Sequence, residues 1–185
     1  MTNRFVISDT HFFHTKCWDT FKRDDGSPLR HFTSTEEMNE TMINNWNAVV
    51  NHDDTVYHLG DVTWEYKKPF NELMHHLKGR KILILGNHDK LSKKVPVLLD
   101  HFERIELWKG FHELGCTFIH IPININDLRD GDICVHGHIH YRHYMNKAGL
   151  LDPRYINVSV EQTNYAPVPF DILRDMIETR RRVIK

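Results

Sequence analysis

Four short strand-like runs in this chain each end in a serine or glycine and then in side chains able to bind a metal ion. Phe5-Val6-Ile7-Ser8 leads into Asp9-Thr10-His11, and Val56-Tyr57-His58-Leu59-Gly60 into Asp61. Ile82-Leu83-Ile84-Leu85-Gly86 leads into Asn87-His88-Asp89, and Ile133-Cys134-Val135-His136-Gly137 into His138-Ile139-His140. Ile82 to Leu85 is apolar at every position, as expected of a strand covered on both faces. In open α/β sheets, ligand sites lie beyond the carboxyl ends of the strands, where loops present polar groups. A chain with this repeated ending must therefore fold so that several strand ends meet.

The side chains gathered this way have a definite chemistry. Asp-x-His at a strand end puts two ligands on one side, because strand side chains alternate. Asp61 offers a carboxylate able to bridge two cations by giving one oxygen to each. Asn87 adds a neutral oxygen, and His138 and His140 can reach different ions. His120, at the end of Phe118-Ile119-His120, adds another imidazole, and histidine is abundant overall, at 15 of 185 residues. A nitrogen–oxygen set without thiolate suits Mn, Fe, Zn or Ni and disfavours the all-oxygen sites of Mg or Ca.

Between these motifs the pattern alternates between helix and strand. Phe12 to Thr33 is a long loop with a turn at Asp25-Gly26-Ser27-Pro28. Ser34-Thr35-Glu36-Glu37 forms a capping box, opening a helix with Met38, Met42, Trp46, Val49 and Val50 on its buried stripe. Phe70, Leu73, Met74 and Leu77 mark a second helix that Gly79 closes. A third spans Leu91 to Asp100, interrupted near Pro96. Two or three short strands fall between Glu103 and Pro122, and one more at Tyr155 to Val160. Phe170 to Arg182 is a final helix, whose basic last turn suits the macrodipole without any nucleic acid.

Asp9-x-His11, Gly60-Asp61, Gly86-Asn87-His88-Asp89, His120 and Gly137-His138-x-His140, in that order, resemble the calcineurin-like metallophosphoesterases. The likeness runs from residue 4 to about 160. Asp9 to His14, the helix at Glu36 to Asn39, Thr55 to Asp61 and Asn157 to Val160 are most similar to the small phosphohydrolases of bacteria and their phages. The resemblance implies a four-layer αββα sandwich, two mixed β-sheets flanked by helices, in one domain over residues 1–185. It implies Asp9, His11, Asp61 and His140 around one metal, with Asp61 (bridging), Asn87, His120 and His138 around the other. The cofactors would be two divalent transition-metal ions, Mn first, with Fe, Zn or Ni as alternatives. A bridging hydroxide would attack, and His88 would stabilise the transition state or protonate the leaving oxygen. The substrate would be a small phosphodiester or nucleotide. The alternatives are a phosphomonoesterase on the same site or a non-catalytic scaffold, and the full set of competent residues favours catalysis.

The chain departs from the protein phosphatases of that superfamily, which follow the bridging Asp with an Asp-Arg pair. Here Val62-Thr63-Trp64-Glu65 follows Asp61, removing a bidentate phosphate clamp. Arg30 is the cation that could replace it, and His14 either lines the substrate cleft or stands behind the ligands. Asp89 either positions His88 or caps a helix. His52, His75, His76, His101, His112 and His143 are expected at the surface. A net charge of −1 offers no broad basic face for stable nucleic-acid binding. Three scattered cysteines, no leader and no membrane-length apolar run point to a cytoplasmic protein with reduced thiols.

Overall fold

The alternating runs resolve into nine strands and five α-helices among the residues that the structure, a computed structural model, describes: 2–66, 68–89, 95–129 and 131–184. In chain order these are β1 (Arg4–Ile7), α1 (Lys16–Asp19), α2 (Thr35–Val49), β2 (Thr55–His58), α3 (Lys68–His76), β3 (Arg80–Ile84), α4 (Val95–Leu99), β4 (Arg104–Glu106), β5 (Trp108–Phe111), β6 (Cys116–Ile119), β7 (Ile133–His136), β8 (Tyr155–Asn157), β9 (Val168–Pro169) and α5 (Phe170–Ile184). They form two mixed sheets, ordered β4-β3-β2-β1-β9 and β5-β6-β7-β8. β1 to β4 are parallel, with β9 antiparallel at the edge. In the second sheet β6, β7 and β8 are parallel and β5 is antiparallel.

The apolar runs are buried on both faces, as their composition requires. Phe5, Ile7, Val56 and Leu83 pack against Met38, Met42 and Trp46 of α2 and against Phe70, Leu73 and Met74 of α3. On the opposite face Val6, Tyr57, Ile82 and Ile84 meet Phe118, Val135 and Ile156 of the second sheet, and α5 adds Phe170, Leu173 and Ile177 to that core. The expected sheets and flanking helices are thus present. The sheets join at their carboxyl ends, where Ser8 N–H donates to Val158 O and Val160 N–H donates to Ser8 O, both at 3.0 Å. That seam lies directly beneath the metal-capable loops.

Local signals hold with instructive exceptions. Ser34 accepts a hydrogen bond from Glu37 N–H at 3.0 Å, but the Glu37 carboxylate takes the N–H of Thr33 rather than that of the cap. Val50 is buried, whereas Val49 rolls outward and is exposed. Of the helix expected from Leu91 to Asp100, Val95–Leu99 is helical, and 91–94 lie outside the described residues. Sequence periodicity also missed α1 and β9. The two-residue β9 is too short to show a period, and its Pro169 is tolerated because the strand is at an edge. All three cysteines are free and buried, and burial pushes their thiols up to about 11 or 12. No helix among the described residues is long and apolar enough to cross a membrane.

Candidate metal centre

β1, β2, β3 and β7 each deliver their ligand-bearing loop to the seam. Asp9, His11 and His140 bring one ligand atom each within 4.8 Å of one another, and so do Asp61, His120 and His138. Asn87 joins the second group, with its Oδ1 2.9 Å from both His120 Nε2 and His138 Nδ1. Asp61 Oδ2 lies between the groups, 3.5 Å from His11 Nε2 and 3.4 Å from His120 Nε2. All seven residues expected to bind metal therefore come together.

Backbone conformation, rather than strand alternation, aims these side chains. Asp9, His11, Asp61, His138 and His140 have φ of 58°, 46°, 56°, 70° and 54°. Asp and His tolerate this left-handed region better than most residues, although each such turn costs on the order of 1 kcal/mol. Gly60 shares it at φ 90° and lies so close to the Gly86 backbone that a Cβ would not fit. The loops after β2 and β3 are thus pressed together. Asp89 fastens them, its Oδ2 accepting from Asp61 N–H at 2.7 Å and Gly86 N–H at 3.0 Å, and its Oδ1 from Val62 N–H at 3.1 Å. Of the two roles expected for Asp89, helix capping falls on residues outside those described, and the bonds seen go to Asp61, Val62 and Gly86.

Most donor groups have one atom fixed by the protein and another facing inward. Asp9 Oδ2 accepts from His138 N–H and the Ser159 hydroxyl, both at 2.9 Å, while its buried Oδ1 finds no hydrogen-bond partner among the described residues. Asp61 Oδ1 accepts from His88 N–H at 2.8 Å, leaving Oδ2 to the ligand groups. Oδ2 is thus the carboxylate oxygen that faces a histidine of each group. His120 Nδ1 is held 2.6 Å from Leu59 O, and His140 Nδ1 3.1 Å from Glu161 Oε1. Buried polar atoms are normally paired. Inward-facing N and O atoms left over in this arrangement fit divalent cations, and outer-atom bonds of this kind are how proteins orient metal ligands.

The charges agree with such a site. Burial lowers the pKa of His11 well below its ordinary value, keeping it as the neutral imidazole that a cation needs. Burial also opposes charge on His120, but Asp61's hydrogen bond and the charges of Asp9 and Asp61 raise it to about 9. Asp61 is penalised by burial yet held well below the carboxylate range by His120 and His11. The pocket thus already favours positive charge beside Asp61.

Two sequence expectations change here. Arg30 does not reach into a substrate cleft. It is fully buried, its Nε pairs with Glu161 Oε1 at 2.8 Å, and its remaining nitrogens donate to the carbonyls of Thr10 and Asp9 at 2.8 and 2.6 Å. Glu161, missed in the sequence, thereby joins Arg30 to His140. His14 is buried under Trp64, with ring centroids 4.1 Å apart, and it lines a cleft shared with His11, His88 and His140. His88 stands 5.7 Å from His11, ring to ring. His52, His75, His76, His112 and His143 are exposed as expected, while His101 is half-buried.

A family model for the calcineurin-like phosphoesterases matches residues 4–183, and the chain belongs to that family. It is accordingly a metal-dependent hydrolase of phosphoric ester bonds. It is 36% identical over 182 residues to MJ1445, an uncharacterized protein of Methanocaldococcus jannaschii, covering 96% of this chain and 93% of that one. The gene 66 protein of Mycobacterium phage D29 is 29% identical over 207 residues, covering 96% of each chain. Its counterpart in phage L5 is 34% identical over 170 residues, covering 76% of this chain and 78% of that one. Among solved structures, AQ665 of Aquifex aeolicus, a protein of unknown function, has the same fold, with a TM-score of 0.67 and 25% identity over 95% of this chain and all of that one.

Proposed function

We propose that the protein hydrolyses small phosphodiesters or nucleotides with two divalent transition-metal ions, Mn first among them. Asp9, His11, Asp61 and His140 hold one ion, and Asp61, Asn87, His120 and His138 the other. The observation that carries this reading is Asp61 Oδ2, set 3.5 and 3.4 Å from a histidine of each group. When bound, such a pair supplies Lewis-acid polarisation and a hydroxide nucleophile at neutral pH. The chain's own contribution is orientation. Asp89 fixes the Asp61 backbone and the His88 N–H its carboxylate, Glu161 fixes His140, and the His88 ring meets the leaving oxygen as a general acid.

Charge favours the diester. With Arg30 engaged by Glu161, Lys16 is the one lysine or arginine among the described residues lining the cleft. A phosphodiester carries one negative charge and needs less neutralisation than a doubly charged monoester. The test is elemental analysis of protein purified without chelator, followed by assays on chromogenic diesters, monoesters and nucleotides. About two ions per chain and faster diester cleavage are expected. A single ion, or monoester cleavage that outpaces every diester, overturns this assignment.

A further inference from the structure

The cleft beside the first ligand group is walled in part by three rings, His14, Phe21 and Trp64, to which phosphoester hydrolysis alone gives no task. Its lining includes His11 and His140 from that group, together with His14, Phe21, Trp64 and His88, around a volume of about 160 Å³. Trp64 lies parallel to His14, with 4.1 Å between centroids and 4° between planes, and Phe21 meets His14 edge-on at 5.5 Å and 86°. The Trp64 and His88 rings are 5.7 Å apart, the same separation as His88 and His11. The rings thus form a continuous path from a ligand histidine to the cleft mouth.

Exposure marks the end of that path as a place of contact. Trp64 is 50% exposed and Phe21 41%, although each has the His14 ring against it. Aromatic faces kept in water beside a reaction centre favour a flat, apolar partner. The volume suits one ring system, too small for a helix or a strand of polypeptide. A group entering here is attached to whatever sits at His11, His140 and His88.

We propose that this cleft binds the alcohol side of the substrate, and that the preferred substrates are phosphoesters with a planar aromatic ring close to the scissile bond, either an aryl group or a nucleoside base. The proposal rests on the phosphoesterase reading for the position of the phosphorus, and on the ring geometry for the class of alcohol. Stacking of a base on an aromatic side chain is worth roughly five- to a hundredfold in affinity.

The test measures, by calorimetry, binding of methylphosphonate, phenylphosphonate and a nucleoside 5′-phosphonate to the Mn-loaded protein. The three share a phosphonate head and differ in the ring. At least one ring-bearing probe is expected to bind roughly fivefold or more tighter than methylphosphonate, and the tighter of the two identifies the ring as aryl or nucleoside. That ratio should fall to about one in Trp64→Ala, survive largely in Trp64→Phe, and fall partway in Phe21→Ala. Equal binding of all three probes by the wild type, or a ring preference undiminished in Trp64→Ala, overturns the proposal. If the ring preference holds but no phosphoester is cleaved with metal bound, the cleft stands and the hydrolase reading fails.

Discussion

The first ligand group has a buried charge pair behind it, whereas in the second one ligand amide ties the two histidines together. Behind Asp9, His11 and His140 lies the Arg30–Glu161 pair, both side chains fully buried, gripping the Asp9 and Thr10 carbonyls on one side and His140 on the other. Among Asp61, His120 and His138 the fastening is Asn87 Oδ1, hydrogen-bonded to both histidines. A cation entering the second group must displace those bonds. One entering the first finds Asp9 Oδ1 already without a partner among the described residues. The difference teaches that two sites sharing a carboxylate need not be equally preorganised, and it predicts that the first group fills at the lower metal concentration.

The strongest way to break the comparison is to remove what the groups share. In Asp61→Asn an amide oxygen turned to the ligands leaves its NH₂ against His88 N–H, donor facing donor, and the flipped amide turns NH₂ toward the cations. Both groups should lose metal together, with activity, at micromolar Mn, and recover in part when Mn is raised. Titration of the chelated variant, following bound metal and diesterase activity, checks this. Two ions bound as tightly as in the wild type would show that Asp61 is not the bridge.

His88 belongs to neither group, so His88→Ala should separate chemistry from binding. A loss on the order of 10²–10⁴ in rate is expected, with both ions retained and a smaller loss for p-nitrophenolate leaving groups. Uniform loss across leaving groups points to positioning instead of proton donation.

Glu161→Gln acts on one group alone. Loss of an outer partner usually costs about 10–100-fold in metal affinity, expected here for the first ion and not the second. Because the change strands a buried Arg30, worth about 3–5 kcal/mol of stability, thermal unfolding must be followed alongside. Arg30→Gln/Glu161→Gln should regain stability while the first ion stays weak. A double variant that binds the first ion normally would reduce the pair to a structural brace.

The last effect concerns neither group. His58, the last residue of β2, is buried; burial and then the nearby His120 push it down to about 3. Gly60 N–H donates to its Nδ1, so Nε2 carries the proton given to Thr10, whose own hydroxyl donates to Val62 O. A folded pKa below the unfolded value of about 6.5 means that this stability is complete above pH 6.5 and is lost as pH falls toward 3. The slope contributed is at most about 1.4 kcal/mol per pH unit. Denaturant midpoints from pH 7 to 4 should flatten in His58→Gln, and an unchanged slope would assign the acid sensitivity elsewhere.

What could be read in advance was whatever sits next to a strand end. Asp9, His11, Asp61, Asn87, His138 and His140 follow apolar runs, so the pattern that predicts the sheet also predicts their meeting. Glu161 and Arg30 carry no such mark. They are 131 residues apart, and nothing periodic links a loop arginine to a carboxylate just after β8. Arg30 reads as a candidate clamp because its charge is visible in sequence and its burial is not. Asp-x-His suggests strand alternation, yet β1 ends at Ile7 and left-handed backbone does the aiming. The aromatic cleft was equally hidden, since Phe21 and Trp64 come from different loops.

The reach of these contacts also sets when the site can exist. Ser159 bonds Asp9 across 150 residues, and Glu161 bonds Arg30 across 131. Contacts so distant in sequence form late, because the chain entropy of closing the loop is spent before they repay it. On the ribosome, the half of the chain carrying Asp9, His11 and Asp61 emerges before any of its partners from β6 onward. The complete ligand set therefore exists only once the chain from β6 to His140 has joined the first sheet. A cation bound there stabilises the finished fold by mass action, adding about 2.7 kcal/mol at a hundred times its dissociation constant, so that metal supply sets part of the folded population.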